Sequence, residues 1–461
     1  MPLLGAFIVP HPPLIVPEIG RGQELKIQKT IDAFNEVAKR IAALKPETLI
    51  VISPHSVSYA DYFHIASGVR GEGSFKDFDE PEVKMSIDYD NLLVEAISDI
   101  AKEEKIPAGT LGTNSKRLDH GVMVPLYYIN LQYKSYKMVQ ISLSGLSPLV
   151  HYRFGKCVAK AIEKTGKKVV IVASGDMSHK LKADGPYGLS KDGAVFDKEA
   201  TDAMAKGDFI KLLSFEEDFC ESAAECGLRS FQIMSGAFDG KSVTSELLSY
   251  EGPFGVGYAV ASFNVTGNDD HRHFDNIFEK QETIRLEKVK SKEDAYVRLA
   301  RQSLEYYVKN GKHLAMPSGL PHEIAQQKAG VFVSLKMNGR LRGCIGTISP
   351  TTSSIAAEIM QNAVSAGRED PRFDSVEEYE LPYLVYDVDV LGKTEHISSI
   401  KELDVKRYGV IVSCNGRCGL LLPDLEGVDT PQQQVDIALQ KGGISPNEKY
   451  TIDRFEVIRH K

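Results

Sequence analysis

Four histidines stand at the ends of short apolar runs, in contexts that suit coordination or proton transfer. His11 lies in Pro10-His11-Pro12-Pro13, His55 in Ser53-Pro54-His55, His120 in Leu118-Asp119-His120-Gly121 and His179 in Ser174-Gly175-Asp176-Met177-Ser178-His179. Neutral imidazoles bind first-row metals. Two of them with one carboxylate, on one face of an octahedron, leave positions open for a chelating organic molecule and dioxygen. The prolines beside His11 and His55 fix φ and bias the residue before them to extended backbone, which suits a loop that holds a ligand rigidly. Any one of these histidines alone reads more readily as an ordinary loop residue; four at strand ends point to convergence. The residues by themselves leave the carboxylate open between Asp119, Asp176 and Glu225, and Asp176 also reads as an Asx-turn acceptor.

The elements that must carry them follow an α/β pattern over residues 1–266, in which β-branched or apolar runs alternate with amphipathic segments and yield a central sheet flanked by helices. Strands are expected at 3–9, 48–52, 63–67, 137–142, 168–173 and 255–265. Helices are expected at 23–44, ended by Lys45-Pro46, and at 91–105, ended before Pro107. In such sheets ligands bind beyond the carboxyl ends of the strands, where residues distant in sequence meet. Residues 267–291, from the turn-rich Gly267-Asn268-Asp269-Asp270 into a charged stretch, read as a linker with a bridging helix. A smaller α+β unit is expected over 292–461: helices at 295–309, 353–366 and 431–440, and strands at 330–337, 384–391, 409–414 and 450–459.

Length and composition are compatible with this division. At about 150 residues per domain, 461 residues make two large domains or three smaller ones. Lys+Arg of 55 against Asp+Glu of 63 gives a net charge of -8, which argues against nucleic acid or anionic lipid as a partner. The apolar run 3–9 lacks a basic leader and is closed by three prolines, so neither a signal peptide nor a membrane span is expected, and the location expected is cytoplasmic. Six cysteines without a C-x-x-C pair read as reduced thiols. Tryptophan is absent, leaving Phe and Tyr, 19 each, to supply the flat walls of an aromatic pocket. Nucleophile-elbow, Walker and H-E-x-x-H motifs are missing, and Gly255-Val256-Gly257 lacks the rest of a dinucleotide fingerprint.

The order Pro-His-Pro-Pro, Ser-Pro-His, Asp119-His120-Gly121 with Val124-Pro125-Leu126, Gly175-Asp176-Met177-Ser178-His179 and Glu225-Cys226-Gly227 resembles the class III extradiol dioxygenase family and its Memo-like relatives over residues 1–265. The resemblance implies His11, His55 and Glu225 as ligands of a non-haem Fe(II), His179 as the acid/base residue and His120 as a second pocket histidine. It also implies a small catechol-like substrate and dioxygen. An imidazole near neutral pKa is suited to removing a catechol proton and returning it. In the Memo-like branch a cysteine in the region of Cys226 can lie in the metal site, and a soft thiolate would favour copper(I) or zinc.

Residues 292–461 resemble the AMMECR family through Leu341-Arg342-Gly343-Cys344-Ile345-Gly346 and Arg368-Glu369-Asp370-Pro371-Arg372-Phe373. Arg342 beside Cys344 would lower the thiol pKa and make a nucleophile, with His322, His396 or Asp370 as partner. The competing reading is a tight strand turn, with Cys344 buried and the arginine paired to Asp370 or Glu369. The expectation is thus an iron-dependent oxidoreductase whose AMMECR-type domain binds or processes the same metabolite. A homo-oligomer with a radical-SAM partner enzyme is expected. The alternatives are a non-catalytic metal-binding or interaction protein, and a hydrolase using zinc or Cys344.

Overall fold

The run Leu-Leu-Gly-Ala-Phe-Ile-Val at Leu3–Val9 forms strand β1, and its alternate side chains feed two different cores. Ala6 and Ile8 join the core on one face of the sheet, while Phe7 and Val9 join the other. Such double-sided burial is why the parallel strands read as continuous apolar runs rather than as alternating ones. β2 (Thr48–Ser53), β3 (Lys137–Ser142) and β4 (Val169–Ser174) are parallel to β1; at one edge β6 (Tyr258–Asn268) pairs antiparallel with β1, and β5 (Lys241–Glu251) pairs antiparallel with β6. The order across the sheet is β3-β2-β4-β1-β6-β5.

The computed structural model describes residues 2–113, 117–425 and 427–461, and the chain divides into two units, Met1–Gln281 and Glu282–Lys461. In the first, helices Gln28–Leu44 and His120–Gln132 cover one sheet face, and Asn91–Glu103, Pro148–Thr165 and Leu228–Ala237 cover the other. This is the α/β layering expected from the sequence. Phe63–His64 is only a two-residue strand paired with Ala108–Gly109, outside the main sheet. Residues 24–27 form a 3-10 turn ahead of the long helix. The antiparallel hairpin of Arg70–Phe75 with Glu80–Asp88 and the edge strand β5 escaped the sequence reading, because both carry polar residues on their open faces. Residues 267–291 hold the end of β6 and most of the helix Phe274–Lys292.

The second unit is α+β. One four-stranded sheet has the order Arg340–Gly346, Val331–Met337, Leu384–Leu391, Val457–His460, with helices Ala295–Asn310 and Ile355–Arg368 packed on its apolar face. The other has the order Glu395–Ile397, Thr451–Phe455, Gly409–Cys414, Arg417–Leu421 and is backed by Pro431–Lys441. The closing strand expected at 450–459 is two strands: the chain leaves one sheet at Phe455 and enters the other at Val457.

Candidate metal centre and its pocket

Three neighbouring parallel strands, β2, β4 and β1, end at one level: Val9 pairs with Ser174, and Ile52 with Ala173. Two residues beyond these ends stand His11, His55 and Asp176. The imidazoles of His11 and His55 face each other with Nε2 to Nε2 at 2.9 Å. Cys226 Sγ lies 3.7 Å from His11 Nε2, and one donor atom from each of the three falls within 4.8 Å of the others. His11 is buried, Cys226 half-buried and His55 open to solvent. The His120 ring sits 4.1 Å from that of His55 and 5.4 Å from that of His11.

Cys226 arrives through a close backbone approach. A Cβ on Gly175 would stand 2.1 Å from Gly227 Cα, so only glycine lets the loop before Leu228 lie against the end of β4. The seam is closed by the Gly227 amide, which donates to Asp176 O at 3.1 Å, and by the Asp176 amide, which donates to Cys226 Sγ at 3.3 Å.

Of the three carboxylates left open by sequence, none belongs to this trio. Asp176 is nearest: Oδ1 accepts from the His11 amide at 2.8 Å, and Oδ2 is 3.9 Å from His11 Nε2. Glu225, the carboxylate that the resemblance assigned to the metal, turns away. Its Oε2 accepts from the Leu228 amide at 2.6 Å, one of the unpaired donors at the start of the helix that follows. Asp119 caps the helix His120–Gln132 instead, accepting from the Val122 amide. Cys226 stands where Glu225 was expected, and the Glu-Cys-Gly context was the signal for it.

His179 is near but separately held. Its Nδ1–H donates to Ala224 O at 2.6 Å, which leaves Nε2 with a free lone pair, and the Tyr187 ring meets it edge-on at 5.1 Å. Desolvation lowers the pKa of all four imidazoles, His11 well below its ordinary value, His179 below it and His120 to about 4; the lowering extends to His55, whose ring is crowded by protein although the residue as a whole is exposed. The same desolvation pushes the Asp176 and Glu225 carboxyls up to about 7, and the Cys226 thiol well above its ordinary value.

A cleft of about 570 Å³ opens beside His55 and His120. Phe75, Phe78, Leu118 and Met123 form its apolar walls, and the ion-paired Asp77 and Arg117 are among its polar ones. Phe78 meets His120 edge-on at 5.5 Å.

In the second unit Cys344 is half-buried, and burial raises its pKa. Arg342 does not serve the thiol: it forms a two-pronged pair with Glu380 at 2.7 and 3.0 Å. The thiol's neighbours are Ser334, whose hydroxyl is 3.3 Å from Sγ, and Asp370, which accepts from the Cys344 amide at 2.8 Å and pairs with Arg372. His396 faces Asp453 on the other sheet, and His322 opens a short helix. Asp370 and Arg372 beside Cys344 are paired to each other, and the nearest side-chain partner of the sulfur is the Ser334 hydroxyl.

A parallel sheet presenting two imidazoles from its strand ends, met there by a thiol from the loop before Leu228 and set beside an aromatic-walled cleft, defines an α/β protein built around a strand-end site. Residues 5–261 match the model of the catalytic LigB subunit of aromatic ring-opening dioxygenase, and residues 297–460 match that of AMMECR1. The chain belongs to the LigB family and carries an AMMECR1 domain behind it. It is similar to Protein CA_C1420 of Clostridium acetobutylicum, 44% identical over 473 residues with both chains covered in full. A protein of Thermotoga maritima is 46% identical over 171 residues, covering 37% of this chain and 98% of its own length. Among solved structures, protein PH0010 from Pyrococcus horikoshii shares 31% identity over 36% of this chain and 88% of its own, with a TM-score of 0.34. Protein JW3007 from Escherichia coli K12 shares 14% over 57% and 99%, with a TM-score of 0.35. Among the described residues no helix is long and apolar enough to cross a membrane.

The donor set fits a metal ion. Two nitrogens about 2.0–2.1 Å from one ion stand about 2.9–3.4 Å apart at octahedral to tetrahedral angles, and a nitrogen and a sulfur slightly farther. The observed 2.9 and 3.7 Å are of this order. Imidazole suits iron, copper and zinc alike, whereas the thiolate favours the softer members of that group.

Proposed function

We propose that the LigB-type unit is a metal-dependent oxidoreductase acting with dioxygen on a small aromatic that carries adjacent hydroxyls. His11, His55 and Cys226 would hold the metal, and non-haem iron is the first candidate. The observation that carries this reading is the meeting of those three donors beside a cleft with aromatic and apolar walls. When bound, a redox-active metal supplies the electron transfer that oxidation by dioxygen requires.

The remaining work falls to side chains of the chain itself. Phe75, Phe78, Leu118 and Met123 shed water from a flat ring and orient it, with Phe78 and His120 already in edge-on contact. His179, its Nδ1 proton committed to Ala224 O, offers Nε2 to accept a phenolic proton and to return it later. Ser174 Oγ, 3.0 Å from His11 Nδ1, fixes the ring orientation of His11. The AMMECR1 unit binds or processes the same metabolite in this reading, and the raised pKa of Cys344 argues against a resting nucleophile there.

The sulfur donor favours a second reading, in which the site takes copper(I) or zinc and serves metal handling or hydrolysis. Metal analysis after anaerobic purification separates the two. One iron per chain, lost in His11→Ala, His55→Ala and Cys226→Ala, supports the first; copper or zinc with iron absent supports the second. Catechols supplied aerobically with Fe(II) give a ring-opened chromophore under the first reading, and a colourless panel refutes ring opening.

A further inference from the structure

Asp119 ties the two histidines of the cleft into one unit. Its carboxylate is surrounded by donors: Ser53 Oγ and Ser56 Oγ at 2.6 Å each, the Val122 amide at 3.2 Å and Gln140 Nε2 at 3.3 Å. Ser53 and Ser56 flank His55 in sequence, and Ser53 Oγ also accepts from the His55 amide at 3.2 Å. The next residue after Asp119 is His120, the first residue of the helix that Asp119 caps. A single side chain therefore sets the loop that presents His55 and the helix start that presents His120.

The contact is tight and continues inward. A Cβ on Gly121 would stand 2.3 Å from Ser53 Oγ and 2.9 Å from Asp119 Oδ1, so the helix start can approach β2 this closely only with glycine there. Behind Asp119, Gln140 Nε2 donates to Ser56 Oγ at 2.9 Å, and its Oε1 accepts from the buried Tyr89 hydroxyl at 3.0 Å. With Gln140 Oε1 committed to Tyr89, its amide nitrogen faces Asp119 as a donor. A carboxylate satisfies every one of these donors. A carboxamide does not: with its oxygen toward Ser53 and Val122, its nitrogen would face the Gln140 nitrogen, donor against donor. The carboxylate charge also acts on His55 and His120, opposing the effect of burial on both.

We propose that Asp119 is a positioning residue for metal capture, acting through His55 and coupling that ligand to His120. The proposal rests on the metal-site reading above. Support around a ligating imidazole typically alters metal affinity by about 10–100-fold, and that is the loss expected here.

The test is zinc titration of the metal-stripped full chain against a chromophoric chelator, with thermal unfolding recorded alongside. Asp119→Asn keeps a good helix cap, so a merely structural role predicts nearly unchanged zinc affinity. A positioning role predicts a loss of about 10–100-fold, and predicts that the loss shrinks when Asp119→Asn is placed on His55→Ala, because both changes strike one donor. Ser56→Ala, which leaves the helix cap and every proposed ligand intact, gives a smaller loss in the same direction and carries the test if Asp119→Asn fails to fold. Wild-type affinity in both variants, or losses that add fully to that of His55→Ala, overturns the proposal alone. A wild-type chain that takes up no zinc overturns the metal-site reading and this proposal together.

Discussion

Gly175→Ala puts the seam beneath Cys226 to a quantitative test. The new methyl carbon would lie 2.1 Å from Gly227 Cα, whereas carbon atoms in contact settle at about 3.5–4.0 Å. The loop carrying Cys226 must then retreat by about 1.4 Å or more. The Gly227 to Asp176 hydrogen bond, now 3.1 Å, would open to about 4.5 Å, outside bonding range. Losing a buried backbone bond costs about 1–3 kcal/mol, and forcing a methyl into a packed seam about 1–3 kcal/mol more. Together these make about 2–6 kcal/mol, or a fall in the unfolding midpoint of roughly 5–20 °C for a unit of this size. The same displacement moves Cys226 Sγ away from His11 and His55, so zinc affinity falls in the same variant. Gly166→Ala is the control: Gly166 has φ of 67° with nothing within 4 Å of an added Cβ, so it pays only the left-handed backbone cost of about 1 kcal/mol. Thermal unfolding by circular dichroism and zinc titration read the two effects. Equal midpoints for the two variants, or unimpaired zinc binding in Gly175→Ala, would refute the account of how Cys226 reaches the site.

Three further outcomes follow from other parts of the molecule. Burial raises Asp197 to about 6 although it accepts from the Ser178 amide and the Tyr250 hydroxyl. The folded state thus holds its proton more tightly than the unfolded chain, and stability falls as pH rises from about 4 to 6, by an amount on the order of 2–3 kcal/mol. Urea unfolding of Asp197→Asn should lack that component, and a wild-type-like profile would contradict it. Asp370 is held below its ordinary range, chiefly by hydrogen bonds from Arg372. Its contribution is present above the ordinary carboxylate range and lost as pH falls through the depressed value. Asp370→Ala should cost about 2–4 kcal/mol in chemical denaturation, and a cost below about 0.5 kcal/mol would mean that the pair is ornamental. At neutral pH iodoacetamide should modify exposed Cys418 well before Cys344, whose burial raises its pKa; peptide mapping that finds Cys344 first would restore it as a nucleophile.

Much of the fold was legible because double-sided burial writes a strand as an unbroken apolar run, and prolines and glycines punctuate the strand ends where His11, His55 and His179 stand. The third donor was harder to read. Cys226 reaches His11 only through a glycine seam to a partner fifty residues away, and nothing local distinguishes its side chain from that of adjacent Glu225. Asp119 stood among the candidate ligands by type alone; that Ser53, Ser56 and Gln140 would surround it depends on register between β2 and β3, where Ser53 pairs with Ser142. Arg342 likewise stands two residues before Cys344, where regular alternation would put both side chains on one strand face; the register shift that leaves Arg342 unpaired between Leu341 and Gly343 re-aims it, and Glu380 is its partner.

The donors of the centre are drawn from remote stretches of chain: His11 and His55 are 44 positions apart, and His11 and Cys226 are 215 apart. No short fragment, and no nascent chain still lacking its Glu-Cys-Gly loop, can assemble all three. Any ion that these donors hold would therefore be captured only after the parallel strands have closed in register. Uptake during refolding would be the last event to register, a built-in signal that the first unit has finished folding.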